Sequence, residues 1–410
     1  MSVKCGMRNS GSGIAVRGGA AARSAAGATR RVRLGDVAEE VRENWNGPTA
    51  DVPVVGLEHI EPDEIWLCKW EVNPDENTFS KAFRKGQLLF GRRRAYQKKL
   101  SLAPIDGICS GDITVIAAKS DKVVPSLLPF LLRTDKFFDY AIQGSAGSLS
   151  PRVKWTHLAK YEFDLPPMDE QKKLAELLWA VNDLKESYKK TIAATDEMLK
   201  AKFREMFGEF GGQSAECGGT DRRGCGLVAF KDCYAKMLGG KTPSMSRPEF
   251  YGGKFPFIKS GDVRGDYLSN GALWLSDTAL KEGGAKYVPA GAVIVVVRSA
   301  TLKNELRVAI ANNELVINQD LKAFVPRDEF DSQFLMHAIR LRTFELLSKV
   351  QTMVTSHLEL SDLNQILIPK VPICVQREFV AIANAAEASK AELKKSITSI
   401  DAVMKGLING

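Results

Sequence analysis

The chain has 410 residues, of which 44% are hydrophobic and 26% are charged, and its formal net charge is +8. This length and apolar content exclude a disordered chain and are sufficient for two or three domains, each with its own core. A pI near 9.0 is compatible with a polyanionic partner.

Cysteine and histidine usage excludes two further classes of protein. The chain has seven cysteines and four histidines, and no two cysteines form a Cys-x-x-Cys pair. We therefore expect neither a zinc site nor a disulfide framework, and we interpret the cysteines as free thiols of a cytoplasmic protein. The longest apolar run, residues 290–297, has the length of a strand and is too short to cross a membrane.

The first 29 residues differ in composition from the rest of the chain. They are rich in Gly, Ala, Ser and Arg and lack the apolar stretch of a secretory signal peptide. We interpret them as a disordered basic tail, or as the product of a start codon placed too far upstream.

In chain order, the next part is predicted to contain strands and then a helix. Gly and Pro residues separate apolar runs of strand length, at 52–57, 87–90 and 113–117. A helix is predicted over 125–140, and the globular part is predicted to end at Pro166 and Pro167. A second series follows a Gly-rich stretch, with strands at 255–258, 293–297 and 306–310 and a helix over 330–349.

A long helix is predicted after each globular part. From residue 169 to residue 206, apolar residues recur at steps of three and four with Lys and Glu between them. A helix of about 38 residues would be roughly 57 Å long and cannot bury its apolar stripe alone. We expect the two long helices to pack together as an antiparallel, coiled-coil-like pair.

The two series are related by an internal repeat at an offset of 205 residues. The offset pairs Gly86 with Gly291 and Arg93 with Arg298. It also pairs Leu158 with Leu363, Pro167 with Pro372 and Gln171 with Gln376. An offset this long indicates a duplicated domain and not a solenoid.

Three segments of the second copy resemble the target-recognition domains of Type I restriction-modification specificity (S) subunits. These segments are GGKTPS (239–244), EFYGGKFPFIKSGD (249–262) and INQDLKA (317–323). GRRRAY (91–96) and CSGDI (109–113) in the first copy resemble another subtype of the same domain. The resemblance covers the chain from about residue 30 to its end, and its most specific feature is the alternation of domain and helix.

The resemblance implies an α+β fold with two target-recognition domains and two spacer helices. The ranges it implies are a tail (1–29), the first target-recognition domain (30–166), a central spacer helix (167–210), a linker (211–225), the second target-recognition domain (226–370) and a C-terminal spacer helix (371–410). It further implies a subunit that recognises a bipartite target in double-stranded DNA. Such a subunit holds two adenine methyltransferase subunits, and nuclease or translocase subunits can join the complex.

Candidate DNA-binding residues in the first copy lie in a basic segment. Between Lys81 and Lys99 there are eight basic residues and no acidic one, with Phe83, Phe90 and Tyr96 interleaved. Lys and Arg can neutralise phosphates, and an Arg fork can pair with guanine in the major groove. The candidates are Arg92, Arg93, Arg94, Tyr96, Lys98 and Lys99; the alternative is a solvated basic loop.

The second copy is less basic at the matching place. Its candidates lie around a Gly-rich segment whose backbone amides could approach phosphates, and they are Lys241, Tyr251, Lys254, Lys259, Arg298 and Lys303. The alternative for the lysines is a turn-rich entry to a strand. Phe255 and Phe257 are interpreted as core residues.

Catalytic chemistry finds no support in the sequence. DLPPM (164–168) differs from the Asp-Pro-Pro-Tyr type of motif with which adenine methyltransferases hold an extruded base, because Leu165 intrudes and Met168 replaces the aromatic residue. No Gly-x-Gly-x-x-Gly or metal-nuclease motif occurs, and the four histidines are isolated. We therefore expect no catalytic residue, metal or cofactor.

Three alternatives to a restriction-modification specificity subunit remain open. One is a specificity subunit of a methylation-only complex, which neighbouring genes would identify. Another is a fused nuclease or methyltransferase of unusual motif, and a third is a basic coiled-coil scaffold. Cofactor binding would favour the fused enzyme, and sequence-independent or absent DNA binding would favour the scaffold.

Overall fold

The computed structural model describes residues 29–48, 51–72, 78–147, 150–208, 226–352 and 356–409. Two compact units are present: unit 1 combines Met1–Glu186 with Ile397–Gly410, and unit 2 is Ser187–Ser396. Each unit contains part of both long helices, so this division differs from the six ranges predicted from the sequence. The predicted tail up to residue 28 and the whole predicted linker (211–225) lie outside the described residues.

Unit 1 contains ten strands in the described ranges. They are β1 (Arg30–Arg33), β2 (Ala38–Val41), β3 (Pro53–Val55), β4 (Glu71–Val72), β5 (Lys81–Phe83), β6 (Leu88–Gly91), β7 (Leu100–Leu102), β8 (Gly107–Cys109), β9 (Ile113–Ala118) and β10 (Glu162–Leu165). One sheet has the order β2-β9-β6-β7 and the other β4-β3-β8-β5, while β1 and β10 form an antiparallel ribbon.

Most helices of unit 1 follow strand β9. They are α1 (Leu34–Val37), α2 (Leu128–Leu132), α3 (Asp135–Gln143), α4 (Trp155–Leu158) and the first part of α5 (Met168–Phe207). The single helix predicted over 125–140 is wrong, since the chain forms α2 and α3 instead. Thr134 separates them because its hydroxyl oxygen accepts a hydrogen bond from the Phe137 amide and so caps a new helix.

Strand β6 shows why this part of the sequence is continuously apolar. Leu88 and Phe90 pack in a core shared with the helices, whereas Leu89 packs in a second core between the two sheets. Successive side chains of a strand point to opposite faces, so a strand buried on both faces needs no polar alternation. Phe83 and Phe90 are fully buried, which excludes them as surface aromatics of the basic segment.

Unit 2 contains thirteen strands in the described ranges. They are β11 (Gly226–Ala229), β12 (Tyr234–Gly239), β13 (Tyr251–Ile258), β14 (Tyr267–Leu268), β15 (Leu273–Leu275), β16 (Tyr287–Val288), β17 (Val293–Val296), β18 (Val308–Ala311), β19 (Leu315–Ile317), β20 (Leu321–Pro326), β21 (Gln351–Thr352), β22 (Ser356–His357) and β23 (Leu367–Lys370). Its sheets have the orders β12-β20-β17-β18-β14 and β15-β13-β19-β16, with β11 paired to β23 and β21 to β22.

The helices of unit 2 also differ from the prediction in one respect. They are the end of α5, α6 (Asp277–Lys281), α7 (Ser332–Leu341), α8 (Thr343–Ser348), α9 (Leu360–Gln365) and most of α10 (Ile373–Asn409), the end of which belongs to unit 1. The helix predicted over 330–349 is divided into α7 and α8. Asp331 starts α7 by accepting hydrogen bonds from the Gln333 and Phe334 amides.

The two units share a strand order, to which unit 2 adds β14 at one sheet edge, and this supports the internal duplication. The order β2-β9-β6-β7 corresponds to β12-β20-β17-β18, and β4-β3-β8-β5 corresponds to β15-β13-β19-β16. Gly86 and Gly291 both have positive φ, at 86° and 82°. Gln171 and Gln376 are both buried and tie each long helix to the domain before it. The predicted α+β class is confirmed.

Within each unit, the segments of the two long helices contact each other. In unit 1, Lys185 Nζ lies 2.6 Å from the Asp401 carboxylate. In unit 2, the rings of Phe203 and Phe379 lie 5.1 Å apart, and Lys390 pairs with Asp196 further along. Because higher residue numbers on α5 meet lower ones on α10, the segments of unit 2 run antiparallel. No helix in the described ranges has the length and apolar composition needed to cross a membrane.

Candidate nucleic-acid interface

In unit 1, the ends of three strands bring the candidate segments to one edge. β3 and β8 are parallel, and the Ser110 amide donates to the Val55 carbonyl oxygen at 2.9 Å where both strands end. The Arg92 amide donates to the Asp112 carbonyl oxygen at 2.9 Å just after β6. We call residues 92–99, 110–112 and 150–153 recognition edge 1.

The backbone of this edge is held in an unusual conformation. Arg94 and Lys98 have φ of 55° and 52°, in the left-handed region that costs a residue with a side chain about 1 to 2 kcal/mol. Residues 151–153 stabilise it, since the Arg94 amide donates to the Pro151 carbonyl oxygen and the Val153 amide donates to that of Arg92. The segment is therefore a fixed loop and not a freely moving basic tail.

Asp112 is the centre of an arginine cluster at this edge. Its carboxylate accepts from Arg93 Nη1 at 3.2 Å and from Arg152 Nε at 2.7 Å, and Ser150 Oγ accepts from Arg93 Nη2 at 3.0 Å. Burial alone would raise the pKa of Asp112, but the Arg152 and Arg93 guanidiniums outweigh it and hold that pKa below its usual value. The carboxylate therefore stays charged and fixes both side chains.

The remaining candidates of recognition edge 1 divide into exposed and paired side chains. Arg94 is exposed, and 56% of the Tyr96 surface is accessible. Lys98 Nζ pairs with Asp135 at 2.6 Å, and Asp135 also pairs with Lys405 at 3.3 Å. Lys99 is half-buried and donates to the Leu57 carbonyl oxygen.

Two other basic residues of the 81–99 segment are engaged within unit 1. Arg84 pairs with Glu43 and Asp106, and Lys81 donates to the Ile113 carbonyl oxygen. Burial lowers the pKa of the Lys81 ammonium, which lies 3.9 Å from Glu40. These two residues stabilise unit 1 itself, so the count of eight basic residues overstates the charge available to a ligand.

Unit 2 assembles its candidate segments at the equivalent edge. The Asn318 amide donates to the Ile258 carbonyl oxygen at 3.0 Å, and the Arg298 amide donates to that of Asp320 at 3.2 Å. Gly240 lies so close that a Cβ atom there would be 2.0 Å from the Asn318 carbonyl oxygen, which explains why this position lacks a side chain. We call residues 240–242, 297–303, 318–320 and 356–357 recognition edge 2.

The candidate side chains of unit 2 are not equally placed with respect to this edge. Lys241, Arg298 and Lys303 are exposed in its segments, and Lys259 immediately follows β13. The Tyr251 hydroxyl donates to the Pro243 carbonyl oxygen at 2.8 Å, and so holds the Gly-rich segment in place.

Lys254 stands apart from recognition edge 2. It lies within β13 and not at its end, and its Nζ is 3.3 Å from the Asp277 carboxylate. The same ammonium lies 5.1 Å from the centre of the Phe255 ring.

Two polar side chains that the sequence analysis did not single out belong to these edges. Arg152 faces Arg93 across an isolated antiparallel bridge, and His357 faces Arg298 in the same way. The offset of 205 residues that relates the two copies relates Arg93 to Arg298 and Arg152 to His357. No local pattern indicates either pairing, because 59 residues separate Arg93 from Arg152 and Arg298 from His357.

The segment that precedes α5 and two of the four histidines make contacts within unit 1. Asp164 lies in β10, pairs with Arg31 at 3.2 Å and is followed by the junction into α5. His157 stacks on Tyr140 with ring centres 4.3 Å apart, and His59 Nδ1 accepts from the Gly56 amide at 2.9 Å. Within the described residues, no three His, Cys, Asp or Glu side chains are grouped as a metal site.

Comparison with known proteins identifies the family. The family model of the Type I restriction modification DNA specificity domain matches residues 233–400. The HindI specificity subunit of Haemophilus influenzae is 20% identical to this chain in an alignment 408 residues long. The alignment covers 80% of this chain and 87% of that protein. Residues 233–400 therefore carry the DNA specificity domain of the Type I restriction-modification specificity subunits. The predicted resemblance is therefore confirmed.

Other specificity subunits match over shorter segments or share the fold alone. The EcoR124I/EcoR124II specificity subunit of Escherichia coli is 29% identical over 113 residues, covering 27% of this chain and 28% of that protein. The chain thus matches little more than a quarter of the length of this relative. The crystal structure of the Type I S subunit from M. genitalium superposes with a TM-score of 0.51 at 12% identity, covering 93% of this chain and 95% of that one.

Proposed function

We propose that this specificity subunit selects the DNA target of a Type I restriction-modification complex, with each unit reading one half of a bipartite site in double-stranded DNA. The observation that carries the proposal is the duplicated recognition edge. The two edges are built on the same strand order but carry different side chains. Two readers of different sequence are what an asymmetric bipartite target requires.

The charge distribution supports contact with DNA at both edges. Arg94 at recognition edge 1 and Lys241, Arg298 and Lys303 at recognition edge 2 are exposed. Exposed cations on fixed loops can neutralise phosphates and thereby set the register of a duplex. The polar and aromatic side chains between them, such as Tyr96, are then placed to contact base edges.

The long helices are proposed to hold two methyltransferase subunits, with nuclease or translocase subunits joining the complex. On the helical segments of unit 1, Leu177, Leu184 and Val403 are exposed by 47%, 45% and 53%. Leu177 and Leu184 are seven residues apart and therefore lie on one face of α5. Apolar side chains exposed on a helix face favour packing against a partner.

The proposed subunit recognises DNA without catalysing a reaction. The DLPPM segment at 164–168 is occupied by a strand end and a helix start, which supports a structural role. A preparation free of methyltransferase subunit is expected not to turn over S-adenosylmethionine or cleave DNA. Turnover of S-adenosylmethionine by such a preparation would contradict this part of the proposal.

Exchange of one recognition domain tests the proposal. Residues 30–166 are replaced by the first target-recognition domain of another family member, and methylated bases are mapped in cells that also express the methyltransferase subunit. We expect one half-site to change and the other to remain. Simultaneous change of both half-sites, or a wild-type chain that directs no bipartite methylation, would contradict the two-reader arrangement.

A further inference from the structure

The two edges share a second element of construction, a short ladder of backbone hydrogen bonds. In unit 1, the Val153 amide donates to the Arg92 carbonyl oxygen at 3.0 Å, and the Arg94 amide donates to that of Pro151 at 2.9 Å. In unit 2, the Leu358 amide donates to the Val297 carbonyl oxygen at 2.8 Å, and the Ser299 amide donates to that of Ser356 at 3.1 Å. Each of the four residues in the ladder of unit 1 has its counterpart in the ladder of unit 2 at the offset of 205 residues.

One pair of residues faces each other at the centre of each ladder. The pair is Arg93 and Arg152 in unit 1 and Arg298 and His357 in unit 2. The backbone frame is thus the same in both units, and each has an arginine at the first position, Arg93 or Arg298. The residue that faces this arginine differs: it is Arg152 in unit 1 and His357 in unit 2. A fixed frame with a variable side chain is the arrangement that allows different bases to be read at equivalent places.

The surroundings of each pair also differ in chemistry. In unit 1, the Asp112 carboxylate accepts hydrogen bonds from both arginines of the pair. In unit 2, the Asp320 carboxylate accepts from Asn318 Nδ2 at 2.8 Å. His357 Nε2 lies 2.6 Å from the Glu359 carboxylate. The two positions therefore present different sets of donors to a ligand.

The geometry points to Arg152 as a specificity-determining residue that reads a guanine in the first half-site, with His357 at the equivalent position for the second half-site; this inference rests on the proposed function. Asp112 fixes Arg152 through Nε, and the Arg152 side chain is still 47% exposed. Among the described residues, no hydrogen bond engages Nη1 or Nη2 of Arg152. These two donors form the fork that pairs with guanine O6 and N7.

Arg93 acts as a positioning residue in this arrangement. Its Nη1 and Nη2 are bound to Asp112 and to Ser150, so neither terminal nitrogen is available without breaking a contact. Arg93 and Asp112 together hold Arg152 in one orientation. Pre-oriented side chains lose less conformational entropy when they bind a base.

Mapping of methylated motifs in cells that express the assembled methyltransferase complex tests the inference. We expect Arg152→Ala and Arg152→Lys each to relax one guanine position of the first half-site, because lysine lacks the two-nitrogen fork. On duplexes that differ at that base pair, the preference for guanine should fall roughly 5- to 150-fold. Asp112→Asn should relax the same position, and His357→Ala should alter only the second half-site.

Arg31→Ala is the matched control, since Arg31 is an exposed arginine of unit 1 that is ion-paired to Asp164 in the β1–β10 ribbon. It should leave the motif unchanged. An Arg152→Ala motif identical to wild type would overturn the inference. So would binding that weakens equally for all sequences, which would make Arg152 a phosphate contact. A wild-type complex without a bipartite motif would instead refute the proposed function, so the two failures are distinguishable.

Discussion

Replacing Gln376 with alanine should lower the free energy of unfolding of unit 2 by about 3 kcal/mol. Gln376 is fully buried and makes three hydrogen bonds with the backbone. Its Oε1 accepts from the Asp331 amide at 2.9 Å, and its Nε2 donates to the Glu329 and Val371 carbonyl oxygens at 2.8 and 2.9 Å. Each lost bond costs about 0.5 to 1.5 kcal/mol, so the three bonds together give the expected loss.

The repeat provides an internal comparison for this prediction. Gln171 makes two such bonds, with the Val124 amide and the Pro166 carbonyl oxygen, so Gln171→Ala should cost about 2 kcal/mol in unit 1. Gln376→Glu should be at least as harmful as alanine, because a carboxylate would face two carbonyl oxygens. Gln143→Ala, at an exposed position at the end of α3, should change stability by less than about 0.5 kcal/mol.

Urea unfolding of the full chain measures the global effect, and amide hydrogen exchange measures the local one. The Asp331 amide should lose protection in Gln376→Ala, and the Val124 amide should lose it in Gln171→Ala. If both variants had the same free energy of unfolding as Gln143→Ala and kept these amides protected, the hydrogen bonds of the two glutamines would not be what stabilises the contact between domain and helix.

Two further predictions concern acid stability and salt dependence. Burial, helped by Arg340, lowers the pKa of His337 to about 4, so the unfolded chain binds a proton first as the pH falls below about 6.5. The free energy of unfolding of the wild-type chain should therefore fall by about 2 kcal/mol between pH 8 and pH 5 because of this group. Urea titrations at the two pH values should show this loss for the wild-type chain and not for His337→Gln. Arg94→Ala should reduce the slope of log affinity for DNA against log salt by about 0.9, whereas Arg31→Ala should not; equal slopes would place Arg94 away from phosphate.

The sequence was most informative where the signal is local or repeated. The helix predicted over 169–206 is observed as Met168–Phe207, because steps of three and four residues persist over many turns. The strand predicted over 293–297 is observed as Val293–Val296, because Gly and Pro mark its start. Residues 125–140 were predicted as one helix, since the apolar pattern continues across Thr134 although its hydroxyl starts a new helix.

The arrangement of the recognition edges depended on contacts that no local pattern encodes. Arg152 meets Asp112 although 40 residues separate them, and it does so because residues 151–153 return to pair with the end of β6. Likewise, the charge pattern of residues 81–99 could not distinguish Arg84, which pairs with Glu43, from the exposed Arg94. Which basic residue is available to DNA is decided by distant acidic partners.

The way these edges are held explains how specificity can change while the fold persists. The ladders that fix residues 92–94 and 297–299 consist of backbone hydrogen bonds, which form regardless of the side chains at positions 93, 152, 298 and 357. The Arg152–Asp112 pair is partly exposed and contributes only about 0 to 1 kcal/mol to stability, so its loss leaves the domain folded. Exchange of Arg152 for another donor therefore alters the base that is read at little cost in stability. The difference between Arg152 and His357, on frames related by one duplication, is the outcome expected of such a process.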